Sequence, residues 1–296
     1  QQIFYYRKVL WQYLVDNHGF TGVYCNFCHF LRRYPEFDLY FRKSRLSNVN
    51  KVTVRYETPM GKQAQLDWKE SISFTLSSGQ VIDVNIFVLL LSYSRFRVYK
   101  VSLSKTQDIL FSFLDDAFGT FGGVPYEIVT DNMKTVMDEA RTEYSTGKVN
   151  NKFQQFADDY GFKVQPCIAG HPHTKAKVEA PMKILDEIRA YNGKLDYREL
   201  VELVTRINNR VNSQVNQGTG RIPIMYYNKE KASLNSLPAD SIRKPYQITT
   251  NTVKVNHSSM FSYKGCQYSV PPEYLGKMVS LQVYDGYILS LIHISE

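Results

Sequence analysis

A chain of 296 residues that is 43% hydrophobic and 14% aromatic is not a disordered polypeptide, and it has material for one large domain or two to three smaller ones. Its longest apolar run, VNIFVLLL at 84–91, falls far short of the about 20 residues of a membrane helix, no secretory leader is visible, and four cysteines make no disulfide framework, so a reducing cytoplasmic setting away from membranes is expected. The net charge of +8 is unevenly spread: residues 1–62 hold 10 Lys/Arg against 4 Asp/Glu, 63–193 hold 14 against 16, and 194–296 hold 12 against 8. Basic flanks around a slightly acidic centre suit a polyanion such as nucleic acid if cations intervene at the centre; ordinary surface charge gives the same totals.

Residues 3–17 set Ile3, Tyr6, Leu10, Tyr13 and Leu14 at three-to-four spacing and predict a helix. HGFTG breaks it, and 22–34 predict a second helix that Pro35 stops. Helix, glycine-containing turn, helix is helix-turn-helix geometry, assigned to 1–48 with Arg32 and Arg33 as DNA contacts; any helical hairpin has the same pattern. CNFCH (25–29) matches a c-type haem attachment pattern, but it lies in an aromatic helix where Cys28 reads as a core residue, and zinc would need two more ligands, with His18 the only other nearby candidate besides His29. Residues 36–62 are polar and basic without a period, and 49–62 read as a linker.

From 63 the pattern changes. QAQLDWKESISFTL alternates, SSG turns, and QVIDVNIFVLLL and RFRVYKVSL continue an antiparallel meander. A helix over 105–123 ending in glycine, a strand YEIVT closed by Asp131, a helix over 151–161, a strand over 162–167 and a helix over roughly 178–191 complete the order β-β-β-α-β-α-β-α within 63–193. Residues 196–213 predict a polar-faced helix, 221–238 are irregular or short-helical, and 194–244 together read as a helical linker region. After Pro245, short strands separated by turn residues predict a small β-barrel over 245–296, truncated at its end. The chain starts at Gln1 without Met, so a fragment is expected at one or both ends. The expected class is mixed α/β.

Three carboxylates occupy special positions: Asp67 inside the first strand, Asp131 at the end of the fourth, and Glu179 near the start of the last helix of 63–193, with sequence separations of 64 and 48. If the first and fourth strands lie side by side, Asp67 and Asp131 converge, and a helix across the strand ends brings Glu179 to the same point. Three clustered carboxylates repel one another without cations. Hard oxygen donors suit Mg²⁺ or Mn²⁺, and two such ions about 3.5–4 Å apart serve phosphoryl transfer by activating the attacking oxygen and stabilising the leaving one.

GKQAQLDW (61–68), IVTDNMKTV (128–136) and HPHTKAKVEAPMK (171–183), in this order, resemble the DDE transposases and retroviral-type integrases, and within them the IstA-type insertion-sequence transposases. RYETPMGKQAQLDW, YNKEKASLNSLP and YSVPPEYLGKMV extend the resemblance over nearly the whole chain. It implies an RNase H-like catalytic core with Asp67, Asp131 and Glu179 as the metal-binding triad, cleavage of double-stranded DNA at element ends to free a 3′-hydroxyl, and attack of that hydroxyl on target DNA. It also implies a homo-oligomer, a separate AAA+ ATPase helper and a place at the nucleoid. Ala176 stands where the family commonly has Gly before KVE, and Pro181 follows Glu179 by two, so the last helix is expected to begin near 178–180 or to kink there.

Lys175, Glu179 and Lys183 are four apart, so on a continuous helix they share a face, either as phosphate contacts beside the metal site or as simple ion pairs. Lys134 and Lys177 are further DNA-contact candidates, with solvated surface as the alternative. Asn132 is expected to cap the turn after Asp131. His171 and His173 suit hydrogen bonds to phosphate better than hard-metal ligation. Asp83, Asp115 and Asp116 read as surface or capping groups, and Trp68 and the 22 tyrosines as core residues or base-stacking surfaces. The rival readings are a non-catalytic or decayed DNA-binding protein and an RNase H-like nuclease without strand transfer.

Overall fold

The computed structural model describes residues 4, 6–42, 57–168, 182–248, 250–284 and 287–291. They fall into two compact units, one within 1–103 and 117–237, the other within 104–116 and 238–296.

The first unit is built on a five-stranded mixed sheet. Its strands are β1 (Gln63–Thr75), β2 (Val81–Leu91), β3 (Arg97–Ser102), β4 (Glu127–Thr130) and β7 (Lys163–Pro166), in the order β3-β2-β1-β4-β7. β1, β2 and β3 pair antiparallel, whereas β4 pairs parallel to both β1 and β7. β2 is buried on both faces from Val84 to Leu91, apolar throughout except for Asn85, as expected of a strand covered on two sides. Val84, Ile86, Val88 and Leu90 pack into one cluster with Leu200, Leu203, Val204 and Ile207 of the helix Tyr197–Ser213. Strand alternation turns Phe87, Leu89 and Leu91 to the opposite face.

The helices start and stop for local reasons. In α5 (Asn151–Tyr160), which follows α4 (Gln107–Phe121) in the chain, the Asn150 side chain accepts from the Lys152 and Phe153 amides, and Gly161 closes the helix in the left-handed region. The helix Tyr197–Ser213 opens with a reciprocal capping box between Asp196 and Glu199. Asn212 near its other end clamps β3, accepting from Arg97 N at 3.1 Å and donating to Arg97 O at 2.8 Å. Between β4 and α5 runs a short hairpin, β5 (Met137–Glu139) and β6 (Lys148–Val149), which the sequence does not announce. The segment Leu185–Tyr191 winds as a 3-10 helix rather than continuing an α-helix.

At the N-terminal side lie α1 (Arg7–His18), α2 (Tyr24–Arg33) and α3 (Pro35–Arg42). Phe27, Leu31 and Phe41 form their small core. The third helix was not expected. Pro35 ends α2, but its fixed φ and missing N–H suit a first helical position, so it also begins α3.

Glu230, at the end of the helix Pro223–Glu230, is fully buried, and its two carboxylate oxygens accept from the backbone N–H of Gly61 and Ser94 at 3.1 and 3.0 Å. Gly61 has φ 66°, and a Cβ there would stand 2.1 Å from the Ser233 carbonyl oxygen. Gly161 has φ 74° but faces open space. Gly61→Ala is therefore expected to cost about 2–3 kcal/mol and Gly161→Ala about 1 kcal/mol. Equal losses in thermal denaturation of the two variants would contradict the close approach at Ser233.

The second unit corrects the expected barrel over 245–296. Strands β8 (Thr250–Lys254), β11 (Met278–Tyr284) and β12 (Tyr287–Leu291) form a three-stranded sheet, β12-β11-β8, while β9 (Met260–Tyr263) and β10 (Cys266–Ser269) form a separate hairpin. Among the described residues no ladder joins these sheets into a closed ring. Closure requires continuous pairing, and beyond β10 the chain enters Pro271 and Pro272, which have no N–H to give. Val255, Phe261, Val279 and Leu281 form a small core here. Asp115 belongs to this unit and is not a surface group: it is 1% exposed and receives Arg243 Nε at 2.7 Å and Gln247 Nε2 at 2.8 Å.

Candidate active site

The parallel ladder between β1 and β4 pairs Gln63 with Glu127, Ala64 with Ile128, Gln65 with Val129 and Leu66 with Thr130. One further step in the same register are Asp67 and Asp131. Their separation of 64 residues equals the offset of the ladder, so the register, continued one step past its last pair, sets Asp67 of β1 beside Asp131, the first residue after β4. Such neighbours are about 4.8 Å apart and direct their side chains to one face.

Each position is braced locally. Asp67 is half-buried, and its Oδ1 accepts from Trp68 N at 2.8 Å. Trp68 sets its ring edge-on to Phe87, centroids 5.0 Å apart, so it packs against its cross-strand neighbour on β2. Asp131 is exposed, the first residue beyond β4. Asn132 does not cap the following turn. Its side chain donates to Cys167 O at 3.1 Å and accepts from Arg141 N at 2.8 Å, while Arg141 Nη1 donates to Pro166 O at 3.0 Å. The loop that carries Asp131 is thus tied to the end of β7 and to the β5–β6 hairpin.

Lys69 lies two residues after Asp67 on the same face of β1, in a regular stretch of the ladder with β2. Its ammonium pairs with Asp186 at 2.5 Å and reaches Met182 O at 3.5 Å, and Arg189 joins Asp186 at 3.3 Å. The segment Met182–Tyr191 is thereby fastened beside Asp67. The sequence reading missed this lysine, although its i+2 position in an alternating strand was the available signal.

Lys134 and Lys183 are exposed, as are Arg32 and Arg33 in the last turn of α2. Lys175, Lys177, Glu179, His171 and His173 lie outside the described residues. Among the described residues no three His, Cys, Asp or Glu side chains gather as a metal site. Two adjacent carboxylates are hard oxygen donors and fit Mg²⁺ or Mn²⁺ as a partial ligand set. No helix among the described residues is long and apolar enough to cross a membrane.

A mixed sheet in this order, with one carboxylate on β1 and another just past the end of β4, fits the framework of an RNase H-like integrase core. Residues 60–172 match the integrase core domain family, and residues 241–291 match the C-terminal domain of Mu transposase. The chain is 58% identical over 289 residues to the transposase for insertion sequence element IS232 of Bacillus thuringiensis subsp. berliner, covering 97% of this chain and 67% of that one. It is 35% identical to the putative transposase for insertion sequence element IS5376 of Geobacillus stearothermophilus, covering 81% of this chain and 58% of that relative. A chain of the simian T-cell lymphotropic virus intasome, solved with a PP2A regulatory subunit, aligns at 15% identity and a TM-score of 0.46 over 92% of this chain and 89% of its own. The chain belongs to the insertion-sequence transposases of the DDE transposase and retroviral-integrase-like superfamily.

Proposed function

We propose that this chain carries the catalytic part of an IstA-type transposase that cleaves double-stranded DNA at the ends of its element and joins the freed 3′-hydroxyl to target DNA. The observation that supports the reading is the β1–β4 ladder, whose last pair, Leu66 and Thr130, immediately precedes Asp67 and Asp131. Glu179 would complete the ligand set; the described chain resumes at Met182, three residues further on, beside Lys69. When bound, two Mg²⁺ or Mn²⁺ ions supply activation of the attacking oxygen and neutralisation of the leaving one.

The protein's own part is positional. Asp67 and Asp131 present oxygens to one point, Asn132 and Arg141 hold the loop beyond β4, and Lys69 fixes the segment that follows Glu179. No side-chain nucleophile is required, because water and then the DNA 3′-hydroxyl attack phosphorus. Lys134, Lys175, Lys177 and Lys183 would hold phosphates beside the carboxylates, and Arg32 and Arg33 would contact DNA from a helix-turn-helix. The reading includes a homo-oligomer, a separate AAA+ ATPase partner, and a cytoplasmic, nucleoid-associated setting.

The test is a joining assay. The chain is incubated with labelled duplex carrying the element's ends, a supercoiled target, and Mg²⁺ or Mn²⁺, and labelled target is the expected product. Hydrolysed ends without joined molecules would assign a nuclease instead. Binding of the ends without any cleavage would assign a DNA-binding protein alone.

A further inference from the structure

The end of the sheet away from Asp67 and Asp131 is lined by cations set against tyrosine rings. Leu91 at the end of β2 lies opposite Ala64 near the start of β1, so the β2–β3 turn sits at that end, together with the starts of β1, β4 and β7. Backbone hydrogen bonds stitch this edge: Ser92 N to Gln63 O at 2.8 Å, Glu127 N to Lys62 O at 3.0 Å, and Lys163 N to Tyr126 O at 2.9 Å. From β3 to β7 the edge spans four interstrand steps, about 19 Å. Tyr126 and Asp131 are at opposite ends of β4, five residues or about 16 Å apart.

Two clusters stand on this edge. Lys62 and Lys163 place their ammonium groups 3.9 and 5.0 Å from the Tyr126 ring, which is 40% exposed. Arg221 lies 4.7 Å from the Tyr226 ring and 5.8 Å from the Tyr93 ring, and Lys229 lies 5.5 Å from Tyr226. Arg95 is nearby; burial lowers its pKa below the usual guanidinium value, with Glu57 and Glu230 acting against that shift and Arg97 and Arg221 with it. The carboxylates do not cancel this charge. Glu230 accepts from two backbone amides, and Glu127 shares its carboxylate between Gln63 Nε2 at 2.9 Å and Lys62 at 3.8 Å. Among the described residues no carboxylate pairs with the Arg221 guanidinium. Ring faces orient it and leave its N–H fork for an anion.

We infer that this edge is a second DNA-binding surface, which takes the phosphate backbone of a duplex segment other than the one at the carboxylates. The inference rests on the transposase reading for the identity of the polyanion. The positive excess, the rigid backbone beneath it and its length of several phosphate spacings carry the rest.

The probe is a fluorescent 30-base-pair duplex of arbitrary sequence, titrated with the full chain in EDTA across a salt series. Arg221→Gln/Lys229→Gln and Lys62→Gln/Lys163→Gln are each expected to weaken binding roughly tenfold and to reduce the slope of log affinity against log salt by about 2. Unaltered melting temperatures establish that the variants are folded. Slopes equal to wild type in both variants would overturn the proposal. So would unchanged DNA binding with lost self-association in sedimentation, which would assign the surface to a second copy. EDTA removes catalysis from the measurement. Pair-dependent binding without joined product in the separate assay would therefore sink only the transposase reading, and joined product with wild-type slopes would sink only this surface.

Discussion

Asp131→Asn is expected to reduce joining of element ends to target at least about 10³-fold, equivalent to roughly 4 kcal/mol of barrier, while leaving affinity for the ends within about twofold. Asparagine has nearly the shape of aspartate, and the backbone bond from Cys167 N to Thr130 O at 2.8 Å does not depend on the side chain. What is lost is a charged oxygen beside Asp67. A divalent ion then loses part of its ligand set, so the shift in melting temperature that Mg²⁺ produces should shrink together with the joining rate. Asp138→Asn is the control: that carboxylate is exposed on β5, accepts from Asn150 Nδ2 at 2.9 Å, and is expected to leave joining unchanged. Wild-type joining by Asp131→Asn would remove the assignment of this site.

Arg210→Ala is expected to destabilise the first unit by about 3–5 kcal/mol, a large part of the about 5–15 kcal/mol that holds a domain folded. Arg210 donates through both terminal nitrogens to Glu187, with Nη1 to Oε1 at 3.0 Å, and the Glu187 side chain is 3% exposed. The same guanidinium lies 3.6 Å from Asp16 of α1. Burial, the larger effect, lifts the Glu187 pKa above its ordinary value, and Arg210 pulls it back down. A carboxyl whose folded pKa is raised contributes fully below its unfolded value, and that contribution is lost as pH rises through the folded one. Without Arg210 the folded value rises further. The loss in the variant should therefore be largest near pH 8 and smaller at pH 5, where Glu187 can fold protonated. Urea denaturation at the two pH values checks this, and an equal loss at both would contradict it. Replacing the pair together, Glu187→Leu with Arg210→Met, should come closer to wild type than Arg210→Ala alone.

Several features were legible in the sequence for clear physical reasons. The run VNIFVLLL announced a strand buried on both sides, and the alternation before it announced its neighbour. The supposed adjacency of the strands carrying Asp67 and Asp131 is the β1–β4 ladder, whose register offset equals their 64-residue spacing. Other features had no local signal. The β5–β6 hairpin is too short for a periodic signal: beyond the Met137–Val149 pair it is polar, and Asn132 and Asn150 tie it down. Glu230 and Asp115 look like surface carboxylates because their burial depends on partners more than a hundred residues away. The barrel failed because spacing of short strands reports hairpins, whereas ring closure depends on pairing between first and last strands. The third carboxylate, Glu179, lies outside the described residues, so its approach to the other two still rests on the resemblance.

The burial of Glu230 also bears on how the polypeptide reaches this shape. Its two amide partners lie 169 and 136 residues upstream, so both wait for their acceptor until that much more of the chain has been made. A nascent chain stopped after β7 would expose two orphaned donors at the mouth of its own sheet. The smallest fragment able to fold by itself should therefore extend to about residue 237, where the first unit ends.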